Sequence, residues 1–174
     1  MKITTKQLVE ILGVSAVAGS LLFVGMQLNL DRKVANAEQY ANRAESIKAD
    51  IRARLESDAS MSAALLRWEA GERLDWWPDN FEAEIIELGF SGKEVEAEIL
   101  QARLNLYQYD NLYFQYQQGL LDEQFWQRAR ARLKIGMRNE NSYARYVYPA
   151  TSILLPISAV LDELLAEIEG ESKN

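Results

Sequence analysis

An apolar segment near the N-terminus restricts the chain more than any other feature of its sequence. No charged residue occurs among the sixteen residues from Ile11 to Met26, and the 23 residues from Leu8 to Leu30 contain a single charge, Glu10. At about 1.5 Å per residue, a helix of that length reaches about 34 Å, enough to cross a hydrocarbon core of about 30 Å. The segment therefore predicts an uncleaved transmembrane anchor.

Two other interpretations of this segment stay open. The first is a cleaved signal peptide, because Ala35-Asn36-Ala37 has the small-x-small form of a cleavage site. Against cleavage, that site lies eleven residues past Met26, and charged residues stand between them. The second is a buried helix of a soluble protein, for which the glycines at positions 13, 19 and 25 are poor choices.

Small residues recur inside the apolar segment at a spacing of four. Ser15 and Gly19 form one such pair, and Ala16 and Ser20 form the other. This spacing lets helix backbones approach closely in lipid, which predicts packing against an integral membrane partner or a second copy of the chain. The alternative is a plain tether, since small residues are common in membrane helices.

The flanking charges give a weak indication of membrane orientation. Lys2 and Lys6 precede the apolar segment, whereas Arg32, Lys33 and Arg43 follow it. Because positive charge favours the cytoplasmic side, the C-terminal domain is predicted to be cytoplasmic.

Composition excludes several classes of chemistry. The chain has no cysteine and no histidine, which removes thiolate and imidazole metal ligands, cysteine nucleophiles and Ser-His-Asp catalysis. The net charge of −7 argues against general nucleic-acid binding, which needs a basic surface. Glu94, Glu96 and Glu98 alternate at a spacing of two, so they diverge on a helix and do not form a cation site. We therefore expect no catalytic residue, no cofactor and no metal ion.

Helical spacing of apolar residues continues beyond the membrane segment. It predicts one long helix from about Lys6 to Glu56, and no stretch shows the alternation of a strand. Six shorter helical segments are predicted after it. The first covers 61–70 with Ser60 as its cap, the second covers 79–88, and the third runs from the capping box of Ser91 and Glu94 to Gly119. The fourth begins at Asp122, the fifth is a helical turn within 139–148, and the sixth runs from Pro156 to 169. The predicted fold is all-α: an N-terminal transmembrane helix over residues 1–30 continues into a helical bundle domain over residues 31–174.

Two predicted helices have clear inward faces. Trp126, Ala129, Leu133 and Met137 form the inward side of the helix after Asp122. Aromatic residues dominate the helix before it, where they could stack a flat ligand, although core packing is the commoner use. The seam of this earlier helix comprises Ile99, Ala102, Leu106, Tyr109, Tyr113 and Tyr116, and it is widened by Leu100, Tyr107 and Phe114.

Charge is distributed unevenly along the chain. Residues 56–100 hold twelve acids and three bases, whereas residues 122–148 hold six bases and three acids. The basic residues are a candidate contact patch for lipid headgroups or an acidic partner. We favour the alternative that they pair within the bundle, with the acidic segment as counterpart. The patch consists of Arg128, Arg130, Arg132 and Lys134.

Two segments of the chain resemble a large set of uncharacterised bacterial proteins. The first is Gly13-Val14 together with GSLLFVGMQL at 19–28, and the second is YQQGLLDEQFW at 116–126. Proteins of that set have one N-terminal membrane helix followed by a helical domain, and they usually have a tryptophan where Tyr143 or Tyr146 stands here. The resemblance implies a single-pass protein of the bacterial inner membrane, with no established activity and no catalytic residues.

These features support two hypotheses from different classes. The first is a non-enzymatic, membrane-anchored accessory or scaffold subunit of a membrane protein complex. The second is a membrane-tethered sensor that binds a small or lipidic ligand in its bundle through tyrosine and tryptophan side chains.

Overall fold

A computed structural model describes residues 5–71, 91–138, 143–152 and 154–171. This part of the chain is all-α, as predicted, and it forms six helices. The predicted helix over 79–88 lies outside the described residues. The helices are α1 (Thr5–Glu56), α2 (Asp58–Glu69), α3 (Gly92–Gln117), α4 (Glu123–Arg138), α5 (Tyr143–Thr151) and α6 (Ser158–Glu171).

The long first helix is confirmed, and its two ends belong to different compact units. One unit is Met1–Gln39, and the other is Tyr40–Asn174. Within the first unit, apolar side chains between positions 9 and 30 are exposed, among them Leu22 (72%) and Met26 (73%). Among the described helices, α1 is the one whose length and composition suffice for a membrane span.

The second helix begins earlier than predicted. Ser57, which has an extended backbone, is its N-cap, and the Ser57 hydroxyl accepts the N–H of Ser60 at 3.3 Å. The prediction of Ser60 as the cap was therefore wrong. The helix begins directly after Ser57, and the negative charge of Asp58 in the first turn interacts favourably with the helix dipole. The predicted stop is confirmed, since Gly71 has a φ of +77°.

The third helix has the predicted ends. The carboxylate of Glu94 accepts the backbone N–H of Ser91 at 2.6 Å, which is the reciprocal half of a capping box. This hydrogen bond also holds the pKa of Glu94 below its usual value. Gly119, with a φ of +72°, follows the last turn, where a side chain would be strained.

The last two helices differ from the prediction at their prolines. Pro149 lies inside α5, although proline normally ends a helix by removing one hydrogen bond. It lies two residues before the end of this helix and directly follows the buried residues Val147 and Tyr148. The last helix begins at Ser158 and not at Pro156, because Ile157 acts as its cap and accepts the N–H of Leu161 at 3.1 Å.

Helix α3 lies at the centre of the second unit and has two buried faces. One face, which includes Leu106, packs into the main core with α4, α5 and α6. The other face packs Leu100 and Leu104 against Ile51 of α1. The sequence predicts Leu106 and Leu100 on one widened stripe, whereas the structure places them in two separate clusters.

The aromatic residues of α3 are half-buried, and several of them pack against neighbouring helices. Tyr113 and Tyr116 pack on Trp126 of α4, with ring centroids 4.9 and 5.6 Å apart. Phe114 stacks on Tyr40 of α1 with a centroid distance of 4.1 Å and an interplanar angle of 12°. Packing against the core, the favoured interpretation of these aromatics, is confirmed for Tyr113 and Tyr116, whereas Phe114 is half-buried against α1.

Candidate functional site

A cavity of about 540 Å³ lies inside the second unit, between α1, α3 and the α5–α6 connection. Its volume falls within the range of small-molecule sites, roughly 300–1,000 Å³. Ala44, Ile47 and Leu155 line it with apolar groups, and Tyr107 adds an aromatic wall. The carboxylate of Asp110 is the acidic group of the lining.

Asp110 is buried and connects three segments of the chain. Asp110 lies within α3, away from both helix ends, and the whole residue is only 1% exposed. One carboxylate oxygen accepts a hydrogen bond from the hydroxyl of Tyr40 in α1, and the other accepts the N–H of Ile157 at 3.1 Å. Because Ile157 caps α6, this carboxylate fixes the start of the last helix.

The buried pair has shifted acidities. Burial raises the pKa of Asp110, although the hydrogen bonds from Tyr40 and Ile157 oppose that shift. The pKa of Tyr40 is also raised, first by burial and then by its hydrogen bond to Asp110. Within the described part of the chain, no lysine or arginine forms an ion pair with Asp110.

A cation and an exposed leucine line the same cavity. Arg43 follows Tyr40 by three positions, so the two residues share a face of α1, and its charge opposes the rise in the Tyr40 pKa. Leu154, in the α5–α6 connection, is 94% exposed. The cavity therefore has apolar walls, a buried carboxylate and an accessible guanidinium.

Sequence reasoning did not find this site. Asp110 follows Tyr109 of the predicted seam and lies four positions after Leu106. It therefore introduces an acidic residue into an apolar stripe. A buried acid needs partners, so that interruption is the signal that could have identified it. The partners, Tyr40 and Ile157, are 70 and 47 positions away, and no local pattern predicts them.

The structure divides the predicted basic patch into two faces of α4. On one face, Arg130 and Lys134 pair with Glu167 of α6, with Lys134 Nζ at 2.7 Å from a carboxylate oxygen. Lys134 also contacts Glu171 at 2.8 Å. Pairing within the bundle is thus confirmed for these two residues, but the counterpart is α6, and the prediction of the acidic segment was wrong for them.

The other face of α4 points to solvent. Arg128 and Arg132 are exposed there and form no ion pair with any described residue. Phe125 and Ile135, which are 46% and 68% exposed, lie on the same side of the helix. Two of the four predicted contact residues therefore remain available for an external partner.

The predicted membrane-packing residues are exposed along α1. A side chain added at Gly19 would meet no atom within 4 Å. The hydroxyl of Ser20 donates to the carbonyl of Ala16 at 2.9 Å, so this polar group has a partner inside its own helix. Ser15 is likewise exposed on this helix.

No group of three or more carboxylate, histidine or cysteine side chains that could hold a metal ion occurs among the residues searched, which are the described ones. Comparisons with protein-family models, with curated proteins and with solved structures find no match to this chain. The functional assignment therefore depends on the chemistry of the chain's own residues.

Proposed function

We propose that this protein is a non-enzymatic, membrane-anchored helical subunit that supports a membrane protein complex. The observation that carries the proposal is the exposed apolar surface of α1 between positions 9 and 30, where no described residue covers the side chains. Exposure of such a surface to water has a free-energy cost of roughly 25 cal/mol per Å², and burial in a hydrocarbon core removes that cost.

The small residues of α1 support a partner inside the membrane. Ser15, Ala16, Gly19 and Ser20 occupy about 140° of the helix circumference by helical geometry. Close backbone approach replaces the hydrophobic drive that is missing between helices in lipid. The partner in this proposal is an integral membrane protein or a second copy of the chain.

The first test concerns attachment. The full chain should remain in the membrane fraction through high-salt and alkaline washes, because apolar burial and not charge retains it. The mature chain should also keep its first residues. Release by salt, or a mature terminus at Glu38 after the Ala35-Asn36-Ala37 sequence, would contradict the anchor.

The second test concerns the partner. Gly19→Leu should abolish co-purification of the partner, or self-association, because the added side chain prevents close approach of the backbones. Val17→Leu is the matched control, since Val17 points away from the small residues. The chain has no native cysteine, so Ser15→Cys should cross-link to a neighbouring helix within the bilayer. If Gly19→Leu keeps its partner or its self-association and Ser15→Cys forms no cross-link, α1 is a plain tether.

The cavity beside Asp110 favours a second candidate function. A membrane-tethered sensor needs a site for a small or lipidic ligand, and the volume and apolar lining of this cavity meet that need. A ligand that raises the melting temperature of the wild-type full chain, but not that of a cavity-filled variant, would support the sensor.

A further inference from the structure

Two opposite charges line one cavity, and neither is paired with the other or with another described residue. Asp110 is buried, and among the described residues its carboxylate accepts hydrogen bonds from two uncharged donors, the Tyr40 hydroxyl and the Ile157 N–H. Arg43 is exposed and forms no ion pair with any described residue. Ala44 and Leu155 add apolar side chains to the lining of the same cavity.

The carboxylate has unused capacity to bind a cation. Among the described residues, each of its oxygens accepts one hydrogen bond, from Tyr40 or from Ile157, whereas a carboxylate has about four acceptor positions. A buried anion without a cation is costly, and an ammonium group that donates to it recovers part of that cost. Tyr107 lines the same cavity, and the face of an aromatic ring attracts a cation that meets it.

A ligand that carries only positive charge does not suit the whole cavity, because Arg43 would repel it. A ligand that carries only negative charge leaves Asp110 unpaired. A molecule with an ammonium group and an acidic group further out satisfies both residues. An apolar portion would cover the walls and reach the exposed side chain of Leu154.

We propose that this cavity binds a zwitterionic amphiphile of the phosphoethanolamine class, with its ammonium group on Asp110 and its phosphate on Arg43. The ligand is a lipid headgroup or the free phosphoethanolamine moiety, since both present the same charges. The proposal goes beyond the scaffold function, and it names a ligand chemistry for the second candidate function.

The test uses the full chain in nanodiscs of phosphatidylcholine, whose quaternary ammonium has no N–H to donate. Dihexanoylphosphatidylethanolamine is titrated below its micelle concentration and followed by calorimetry, with empty nanodiscs subtracted. Dihexanoylphosphatidylglycerol, which lacks the ammonium, and hexylamine, which lacks the phosphate, are the matched probes. We expect the ethanolamine lipid to bind at least about tenfold more tightly than either matched probe, because one additional charge-assisted hydrogen bond accounts for a difference in affinity of that size.

Three variants separate the contributions. Asp110→Asn should remove the preference for the ethanolamine lipid over the glycerol lipid, because the ammonium loses its counter-ion. Arg43→Gln should weaken binding of both phospholipids several-fold and leave hexylamine unaffected or tighter. Ala44→Leu fills the cavity and should abolish binding of all three probes. The variants at Arg43 and Ala44 keep the test decisive if Asp110→Asn fails to fold.

Free phosphoethanolamine distinguishes the two sources of the ligand. Affinity equal to that of the lipid identifies the free headgroup, and much weaker affinity identifies the lipid. Equal binding of the ethanolamine and glycerol lipids to the wild-type chain would overturn the proposal, as would unchanged binding to Ala44→Leu. These outcomes are independent of membrane retention and of Gly19→Leu, so failure here leaves the scaffold function standing.

Discussion

The hydroxyl of Tyr40 donates a hydrogen bond to the carboxylate of Asp110, which lies 70 positions later in the chain. This contact joins α1 to the centre of the bundle, and the same carboxylate holds the N–H of Ile157 at the start of α6. One buried acid therefore connects two segments that are distant in the chain.

Removal of the Tyr40 hydroxyl should destabilise the domain. Tyr40→Phe leaves the Asp110 carboxylate with one donor among the described residues, and we expect a loss of about 1–3 kcal/mol in the free energy of unfolding. Tyr116→Phe is the matched control, because Tyr116 donates to Glu123 at an exposed site, and loss of this hydroxyl should change the stability far less. Urea unfolding of the full chain in nanodiscs, followed by tryptophan fluorescence, measures both. Equal losses of unfolding free energy in the two variants would show that the Asp110 carboxylate does not depend on the hydrogen bond from Tyr40.

Leu106 should be among the most sensitive core positions. Its side chain is 0% exposed, and Leu106→Ala leaves a cavity that should cost about 2–5 kcal/mol. Leu66→Ala in α2 makes the same change at a side chain that is 66% exposed, and it should shift the unfolding midpoint little. Similar midpoints for the two variants would mean that the seam of α3 is misassigned.

Gly92 should be intolerant of a side chain for a packing reason. A Cβ atom there would lie 2.7 Å from side-chain atoms of Trp68, so Gly92→Ala must displace α2 or α3 and should cost about 1–3 kcal/mol. Gly136→Ala in α4 meets no atom within 4 Å and should instead stabilise the helix by about 0.5–1 kcal/mol. The opposite signs of the two melting-temperature shifts are the expected result, and a stabilised Gly92→Ala would refute the contact with Trp68.

Acid should weaken the contact between α4 and α6. Hydrogen bonds from Arg130 and Lys134 lower the pKa of Glu167 from 4.5 to about 2. Since the folded-state pKa is lower than the unfolded one, the stabilisation is complete above pH 4.5 and is lost as the pH falls toward 2. Glu167→Gln should be less stable than the wild type at pH 7 by about 0.5–1 kcal/mol, because the site is partly exposed.

The difference between Glu167→Gln and the wild type should vanish near pH 2. Denaturant midpoints measured at several pH values test this. The rise in the Asp110 pKa has the opposite effect on stability, but it is common to both proteins and cancels in the comparison. Glu169→Gln is the control, since Glu169 is exposed and forms no ion pair within the described residues. A constant difference across the range would show that Glu167 is not ionically paired in solution.

Much of the local structure could be predicted because its causes are local. Helical spacing predicted the end of α1 at Glu56, and the pairing of Ser91 with Glu94 predicted the start of α3. The inward face of α4 was predicted correctly at all four positions, Trp126, Ala129, Leu133 and Met137. Errors occurred where two caps competed, at Ser57 and Ser60, and where the helical turn predicted within 139–148 instead continues through Pro149 to Thr151.

The sequence by itself determined the all-α class, the apolar surface of α1 and the amphipathic faces, since periodicity and residue type act within a few turns of the chain. Only the tertiary structure decided the pairing partners. It assigned Lys134 to Glu167 and not to the acidic segment, and it brought Tyr40 and Ile157 to Asp110. Charge and hydrogen-bonding capacity are visible in a sequence, but the distance between two groups on different helices depends on how the whole core packs.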